Sequence, residues 1–456
     1  MRRWGAPRGA RGKARGRGRA GLVVLAKLIA RELSPRVSRC YPYAAVADSV
    51  SKCEVLIAGA GPAGLATALY LMRARPELQG RVVALEKSAH PRFKTCAGGL
   101  IPKTMLALEE LGLALEVPAC TVMRGAARTP VGTVELDRGE PLCTIIRRDQ
   151  FDARLARAAR TAGLEIAEHT RVTGVSQNAE RVRVETDRGV FEARVLVGAD
   201  GSGSRVRAAI FGAGKESIGR ALMADIPADS AHAVEFTEER YRFDFRCVSA
   251  GIPGYAWSFP CLIDDAPHLN VGIYDQHPRA SGAAGGEQAQ MLTELRAAFP
   301  ELPLAALENR TQAFRAFPIR WFDPRDRYVN GRVILAGDAA GVDPLMGEGI
   351  SCAFEHGKLA ALAIERFVGG DARALAAYDR ALHRGAVGRK LGKLAFAARH
   401  FYGPHHRMYF RMARMNRRAR DIGVDWYNGA HHIDELPTRA LVARLIREIL
   451  FGAAVR

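Results

Sequence analysis

Hydrophobic and polar positions become regular only from Glu54 onward. Val55–Ala58 is an apolar run of strand length, Pro62 to Ala74 is helix-like, and Arg81–Glu86 is a second strand. That order predicts the opening βαβ unit of a doubly wound parallel sheet. Phe151 to Ala162 is an amphipathic helix with Leu155, Ala158 and Ala159 on one face. Arg181–Thr186 and Val190–Val197 alternate about Asp187-Arg188-Gly189, a hairpin signal leading into a buried strand that ends at Asp200. From Arg220 to about Asp326 the chain is richer in aromatics and turns, with strand-like stretches Tyr241–Val248 and Leu269–Tyr274. Arg332–Ala336 is another buried strand, followed by a turn and a helix from Glu348 to Phe367.

The expected fold is therefore α/β, with a second sheet inserted into the first. A basic extension covers 1–52. The doubly wound domain lies in three pieces, 53–118, 143–215 and 329–375. Strands within 119–142 and the segment 216–328 form a mixed or antiparallel substrate domain, and 376–456 is a helical C-terminal region. Val55 to Met72 lacks charge and has the hydropathy of a membrane span. Gly59, Gly61, Pro62 and Gly64 near its middle would break a lone lipid-facing helix, so it is read as strand, turn and helix, with no transmembrane segment.

Composition changes this picture little. With 456 residues, 48% hydrophobic and 25% charged, the chain has a globular composition, which excludes collagenous and low-complexity classes. Charge is more informative. The net charge is +19, and residues 1–50 hold 12 Lys/Arg against 2 Asp/Glu. Met1 to Ala20 alternates Arg with Gly and Ala and should be disordered in isolation. A dispensable extension is the preferred reading over a targeting segment, a basic arm for lipid or nucleic acid, or a start placed too far upstream. The eight cysteines lie at least 13 positions apart, so neither a CxxC metal knuckle nor a small disulfide framework is present. A reducing, cytoplasmic setting is expected.

Three motifs carry chemistry. Gly59-Ala60-Gly61-Pro62-Ala63-Gly64 joins a strand to a helix, which suits a pyrophosphate at the helix N-terminus. Glu86 ends the next strand, where a carboxylate can accept ribose hydroxyls. Val195-Leu196-Val197-Gly198-Ala199-Asp200-Gly201 places Asp200 at a strand end; alone it reads as an ordinary Asp-Gly turn. Val333-Ile334-Leu335-Ala336-Gly337-Asp338-Ala339-Ala340-Gly341 repeats the design, and Gly349 and Ile350 open a helix. Asp338 suits a ribityl hydroxyl, and backbone N–H groups at Gly349 and Ile350 suit the polar edge of a flavin ring.

In this order, with Arg148-Asp149-Gln150-Phe151-Asp152 between the first two, the motifs resemble the FAD-binding fold of flavin-dependent hydroxylases and geranylgeranyl reductases, within the para-hydroxybenzoate hydroxylase-like superfamily. The resemblance runs from about Glu54 to Val368. It implies that Gly59, Gly61, Ala63 and Gly64 hold the pyrophosphate and Glu86 the adenosine ribose. Arg148, Val172, Asp200 and Asp338 would complete the site. Arg92-Phe93-Lys94-Thr95-Cys96-Ala97-Gly98-Gly99 is similar to the Cys-Gly-rich loop of the reductases, which brings Cys96 and Gly98 to the flavin; Ala97 after the cysteine departs from the usual pattern. Gly254-Tyr255-Ala256-Trp257-Ser258-Phe259-Pro260 is similar to their substrate-site strand, and Gly347-Glu348-Gly349 stands where hydroxylases more often have Gly-Gln-Gly.

On spacing alone, Tyr255, Trp257 and Phe259 share one strand face, equally an apolar tunnel wall or an ordinary sheet core. Cys96 is equally a buried small hydrophobe or a reactive group. Ala381 to Arg420 holds 11 Lys/Arg and no Asp/Glu, interleaved with aromatics and methionines. A membrane surface or lipid diphosphate suits this stretch better than nucleic acid, and a solvated helix pair is the plainer alternative. His405-His406 and His431-His432 are given no metal role.

The leading expectation is an FAD-dependent reductase of prenyl carbon–carbon double bonds, acting on a prenyl diphosphate or a prenylated lipid or pigment, with Tyr255 and Cys96 as candidate proton donors. No second GxGxxG unit is visible. Electrons would come from NADPH or NADH docking transiently, or from a ferredoxin-like protein. Rivals are a monooxygenase or halogenase on the same fold, and a non-catalytic flavoprotein peripheral on a membrane.

Overall fold

The computed structural model describes residues 50–428 except 213–216, 278–283, 306–313 and 416, together with 439–440, 443 and 447. Val55–Ala58, Val82–Leu85, Val195–Gly198 and Val333–Leu335 are buried throughout and pair in parallel, as strands without a polar face must when helices cover both sides. The spatial order is Val329–Asn330, Val333–Leu335, Val195–Gly198, Val55–Ala58, Val82–Leu85, Glu165–Ala167, with only the first strand antiparallel. Helix Pro62–Ala74 follows the first of these strands and packs against helix Ile350–Val368. Gly357 permits that close approach, since a Cβ on it would lie 2.7 Å from Ala66 Cβ, and Gly64 lets the helix start against its own strand and turn. A Cβ there would fall 2.0 Å from Gly59 O and 3.0 Å from Ile57 Cγ2.

The second sheet has seven strands, in the order Arg315–Arg320, Ile218–Pro227, Ala266–Asp275, Gly254–Ile263, Arg240–Asp244, Arg124–Thr129, Gly132–Asp137. Only Arg240–Asp244 with Arg124–Thr129 is a parallel pair, so the sheet is mixed. Strand Gly254–Ile263 is buried on both faces along most of its length. Ala256 packs with Leu222, Ile273 and Met291, the last from helix Ala284–Ala298, while Tyr255, Trp257 and Phe259 fill the opposite face. Helices Ala374–Arg384, Ala386–Phe401, His406–Met415 and Arg417–Asn428 follow, and the described residues 439–440, 443 and 447 are helical as well.

Several expected boundaries shift. Val50–Lys52, assigned to the extension, is an edge strand paired in parallel with Val190–Glu192. Val190–Val197 is two strands: Gly189–Ala193 stays in a four-stranded sheet, and the chain turns at Arg194 to enter the parallel sheet at Val195. Ala119–Val122 joins a three-stranded sheet with Cys143–Ile146 and Gly99–Leu100, not the substrate sheet. Tyr241–Val248 stops as a strand at Asp244, whose Oδ1 accepts the Arg246 N–H at 2.9 Å and turns the chain into a 3₁₀ helix, Arg246–Ala250. The pieces do not separate into bodies of their own, since Asp48–Arg456 is one compact unit. His431, His432 and the chain before Val50 lie outside the described residues.

Of two shortened chains, the one beginning at Cys53 loses the edge strand and should melt a few degrees lower by calorimetry than one beginning at Asp48. Equal melting of the two truncations would contradict a structural role for Val50–Lys52.

Candidate active site

Parallel strands deliver their following loops to one edge. The segments after Ala58, Leu85, Gly198 and Leu335 all line one continuous cavity of about 1360 Å³, above the roughly 300–1,000 Å³ of a single-ligand pocket. One half of this cavity is polar and the other aromatic.

The polar half is built on two helix starts. Helix Pro62–Ala74 has Pro62 at its first turn, and its N-cap, Gly61, offers no side chain to the free N–H groups. A Cβ on Gly61 would meet only Arg92 Nη2, at 3.5 Å, so the protein itself leaves space for an anion there. Arg92 lies between Glu86 Oε2 (3.4 Å) and Asp152 Oδ2 (3.3 Å), and its Nε has no partner. Glu86 is buried; its Oε2 accepts from Ala60 N at 3.1 Å and its Oε1 from Ser88 N at 3.2 Å, which fixes the carboxylate while leaving further lone pairs. Helix Ile350–Val368 starts at Gly349, which offers no side chain; Glu348 Oε1 accepts from Ser351 N at 2.8 Å, and a Cβ on Gly349 would sit 3.3 Å from Asp338 Oδ1. Asp338 Oδ2 accepts from Ser202 Oγ at 3.2 Å. Ala63 and Val172 complete the lining.

Other expected residues hold the walls. Asp200 caps helix Arg205–Phe211, accepting from Ser204 Oγ at 2.5 Å, Arg205 N at 2.7 Å and Val206 N at 3.2 Å, so its carboxylate serves local structure while its backbone lines the cavity. Arg148 makes a two-pronged pair with Asp152, at 2.9 and 3.1 Å. Gly98 has φ +80°, and a Cβ there would fall 1.9 Å from Ile146 O. This packs the Cys-Gly loop onto strand Cys143–Ile146 and brings Cys96 to the cavity, with Cys96 Sγ 3.4 Å from Gly98 N.

In the aromatic half, Tyr255, Trp257 and Phe259 line the cavity with Tyr241 and Phe243. The polar tips of Trp257 and Tyr255 are engaged, whereas the hydroxyl of Tyr274, also on the lining, is buried without a hydrogen-bond partner among the described residues. Trp257 Nε1 donates to Asn270 Oδ1 at 2.8 Å, Asn270 Nδ2 donates to Asp225 Oδ1 at 2.7 Å, and Arg147 Nη1 donates to Asp225 Oδ2 at 2.7 Å. The Tyr255 hydroxyl donates to Met346 O, and burial raises its pKa well above the ordinary tyrosine value. This bond makes Tyr255 a brace for the loop before Gly347. The two preceding carbonyls are braced as well: Tyr402 donates to Leu345 O at 2.6 Å and Gln276 to Pro344 O.

The chain belongs to the FAD binding domain family, whose model matches residues 52–388. FAD is its cofactor, and its class is the FAD-dependent oxidoreductases. It is 26% identical over 326 residues to menaquinone reductase of Mycobacterium tuberculosis (strain ATCC 25618 / H37Rv), covering 68% of this chain and 75% of that one. It is 29% identical over 361 residues to the chloroplastic geranylgeranyl diphosphate reductase of Oryza sativa subsp. japonica, covering 73% and 71%. Among solved structures, a flavin-dependent brominase superposes with a TM-score of 0.65 at 20% identity, covering 87% and 99%, which shows a shared fold. The geometry fits FAD: two helix starts with glycine N-caps, an acid at a strand end and an arginine with a free Nε face one cavity.

Several site residues were not visible in the sequence. Lys94 Nζ stands 3.2 Å from the Phe317 ring centroid, and burial lowers its pKa to about 8. Its only signal was a basic residue two places before Cys96. His356 gave none; buried, its Nδ1 accepts from Gly337 N at 3.1 Å and holds the Asp338 turn. Tyr402 and Gln276 come from distant elements that only the fold brings together.

Gly61→Val should fold, melting near wild type, yet purify colourless, because the branched side chain displaces the pyrophosphate rather than protein. Gly64→Val should fail to fold; a yellow Gly61→Val protein would contradict the site. Burial lowers the His356 pKa to about 4. Between the ordinary histidine value and about 4 the unfolded chain takes up a proton that the folded one refuses, so this group's contribution to stability falls as pH falls through that window. His356→Gln keeps an acceptor for Gly337 N and should lose up to about 3 kcal/mol less than wild type on acidification from pH 7 to 4, read by denaturant unfolding.

Proposed function

We propose that the protein reduces carbon–carbon double bonds in a prenyl chain. The observation that carries this reading is the aromatic half of the cavity, where ring surface dominates and the polar tips of Trp257 and Tyr255 are bonded to the protein. Trp257 and Tyr255 spend their donors on Asn270 and Met346 and turn only ring surface toward the nucleotide half. A substrate held there needs no hydrogen-bonding group, which describes an isoprenoid chain. Ring faces attract developing positive charge, as protonation of an unactivated alkene requires, and an apolar wall excludes water. The resemblance of the Cys-Gly loop and the Tyr-x-Trp-x-Phe-Pro strand to geranylgeranyl reductases supports the same reading, as do the names of the menaquinone and geranylgeranyl diphosphate reductases.

Reduced FAD supplies hydride when bound. This chain orients the alkene against Tyr255, Trp257 and Phe259 and supplies a proton. With Tyr255 committed, we favour Lys94 as its source: the ammonium lines the cavity, faces a ring, and is mostly protonated at pH 7.

The test is anaerobic. Protein reduced with dithionite is mixed with geranylgeranyl diphosphate or menaquinone, and the lipids are weighed by mass spectrometry. A gain of two hydrogens per step is expected, and Lys94→Met should stay yellow but lose most turnover. Lipids of unchanged mass over a flavin that stays reduced refute the reading; oxygen-dependent hydroxylation or halogenation of an added aromatic would select the rival chemistry.

A further inference from the structure

The basic, methionine-rich stretch near the C-terminus has no role in the chemistry above. Three of its large apolar side chains are left in water: Phe396, Met408 and Met415 keep 37%, 51% and 79% of their surface exposed. On helix His406–Met415, exposed Arg407, Met408, Arg411, Arg414 and Met415 recur three or four apart and form the outer side. Phe410 takes the inner side against Phe245 and Phe401, with ring centroids 5.3 and 5.2 Å apart. Phe396 and Arg399 are exposed on the preceding helix, and the ring series Phe396, His400, Tyr409, with spacings of 4.0 and 5.0 Å, joins the two helices.

This face is also the mouth of the cavity. Phe396 and Met408 are exposed and at the same time line the cavity that reaches Gly61 and Gly349. Arg399, Arg407 and Arg411 have no hydrogen-bond acceptor or ion-pair partner among the described residues. No acid lies between Ala381 and Arg420. A second copy of the chain docking face to face would set arginine against arginine. A nucleic acid would use the cations and leave Met408 and Met415 in water. An anionic bilayer satisfies both, with headgroups for the guanidinium groups and acyl chains for Phe396 and the methionines.

We propose that the outer face of helices Ala386–Phe401 and His406–Met415 docks on an anionic lipid bilayer, and that the cavity opens there, so that a lipid substrate enters without crossing water. The entry of substrate rests on the prenyl-reductase reading; the docking does not.

The FAD-loaded full chain is sedimented with vesicles of phosphatidylcholine alone or mixed with phosphatidylglycerol, and deuterium exchange is followed with and without vesicles. Binding to the anionic vesicles is expected, with protection over 396–415. R399Q/R407Q/R411Q should bind on the order of 100-fold more weakly, the combined effect of three arginines at a charged surface. M408E/M415E should lose roughly tenfold or more. R157Q/R183Q/R188Q, which removes the same charge elsewhere, should bind as wild type. Every sample keeps residues 1–50, so the differences report the helical face and not the basic extension. The proposal is overturned if both face variants bind as wild type, if protection falls elsewhere, or if the protein ignores vesicles and M408E/M415E instead dissociates a dimer. Vesicle binding that persists while no prenyl lipid is reduced refutes the proposed function and leaves the docking standing.

Discussion

Val195–Gly198 pairs in parallel with Val55–Ala58 on one side and with Val333–Leu335 on the other, and the arrangement of the site depends on that pairing. Three segments far apart in the chain must leave the sheet at one edge and at one level. The fit is tight: a Cβ on Gly59 would fall 2.3 Å from Ala199 O in the adjoining loop. Two helices then start at this edge with glycine N-caps, Gly61 and Gly349, which leave room for a dinucleotide beside their first turns. A shift of register by one residue would exchange the two buried faces of a strand and carry Asp338 out of level with Gly61.

Around this edge most acceptors and donors are already used by the protein. Glu86 is held by Ala60 N and Ser88 N, Asp200 by the helix it caps, Trp257 by Asn270, and Tyr255 by Met346 O. Such commitments cost flexibility and preserve shape, because a buried polar group without a partner is expensive. They also divide the cavity cleanly. The nucleotide half keeps unpaired backbone N–H groups and a partly free arginine, while the aromatic half is ring surface around the unpartnered hydroxyl of Tyr274.

Much of this was legible in the sequence where a local pattern suffices. The GxGxxG turn, Glu86 and the two Asp-bearing strand ends are short-range signals, and a period of two put Tyr255, Trp257 and Phe259 on one face before any coordinates. Long-range partners were not legible. Nothing near Tyr255 in the chain announces Met346, and the Asp-Gly turn at Asp200 looks the same whether its carboxylate faces a ligand or caps a helix. Val50–Lys52 was misassigned because three residues carry too little periodicity beside a basic arm. Val190–Val197 read as one strand because the turn at Arg194 contains neither Gly nor Pro.

The C-terminal helices tie the surface to the reaction side through few atoms. Tyr402, at the end of helix Ala386–Phe401, donates to Leu345 O, one residue before the carbonyl that Tyr255 holds. Asp343, buried beneath the same loop, accepts from Leu345 N at 2.7 Å and Met346 N at 3.1 Å, and burial raises its pKa to about 6. The loop leading to Gly349 is thus gripped from the substrate sheet, from its own aspartate and from the helices that carry Met408. A displacement of those helices at a membrane would be felt first at Leu345 O. Tyr255 is reached from the same helices, because its ring packs on Phe245 and Phe245 packs on Phe410, so the brace on Met346 O shares their position.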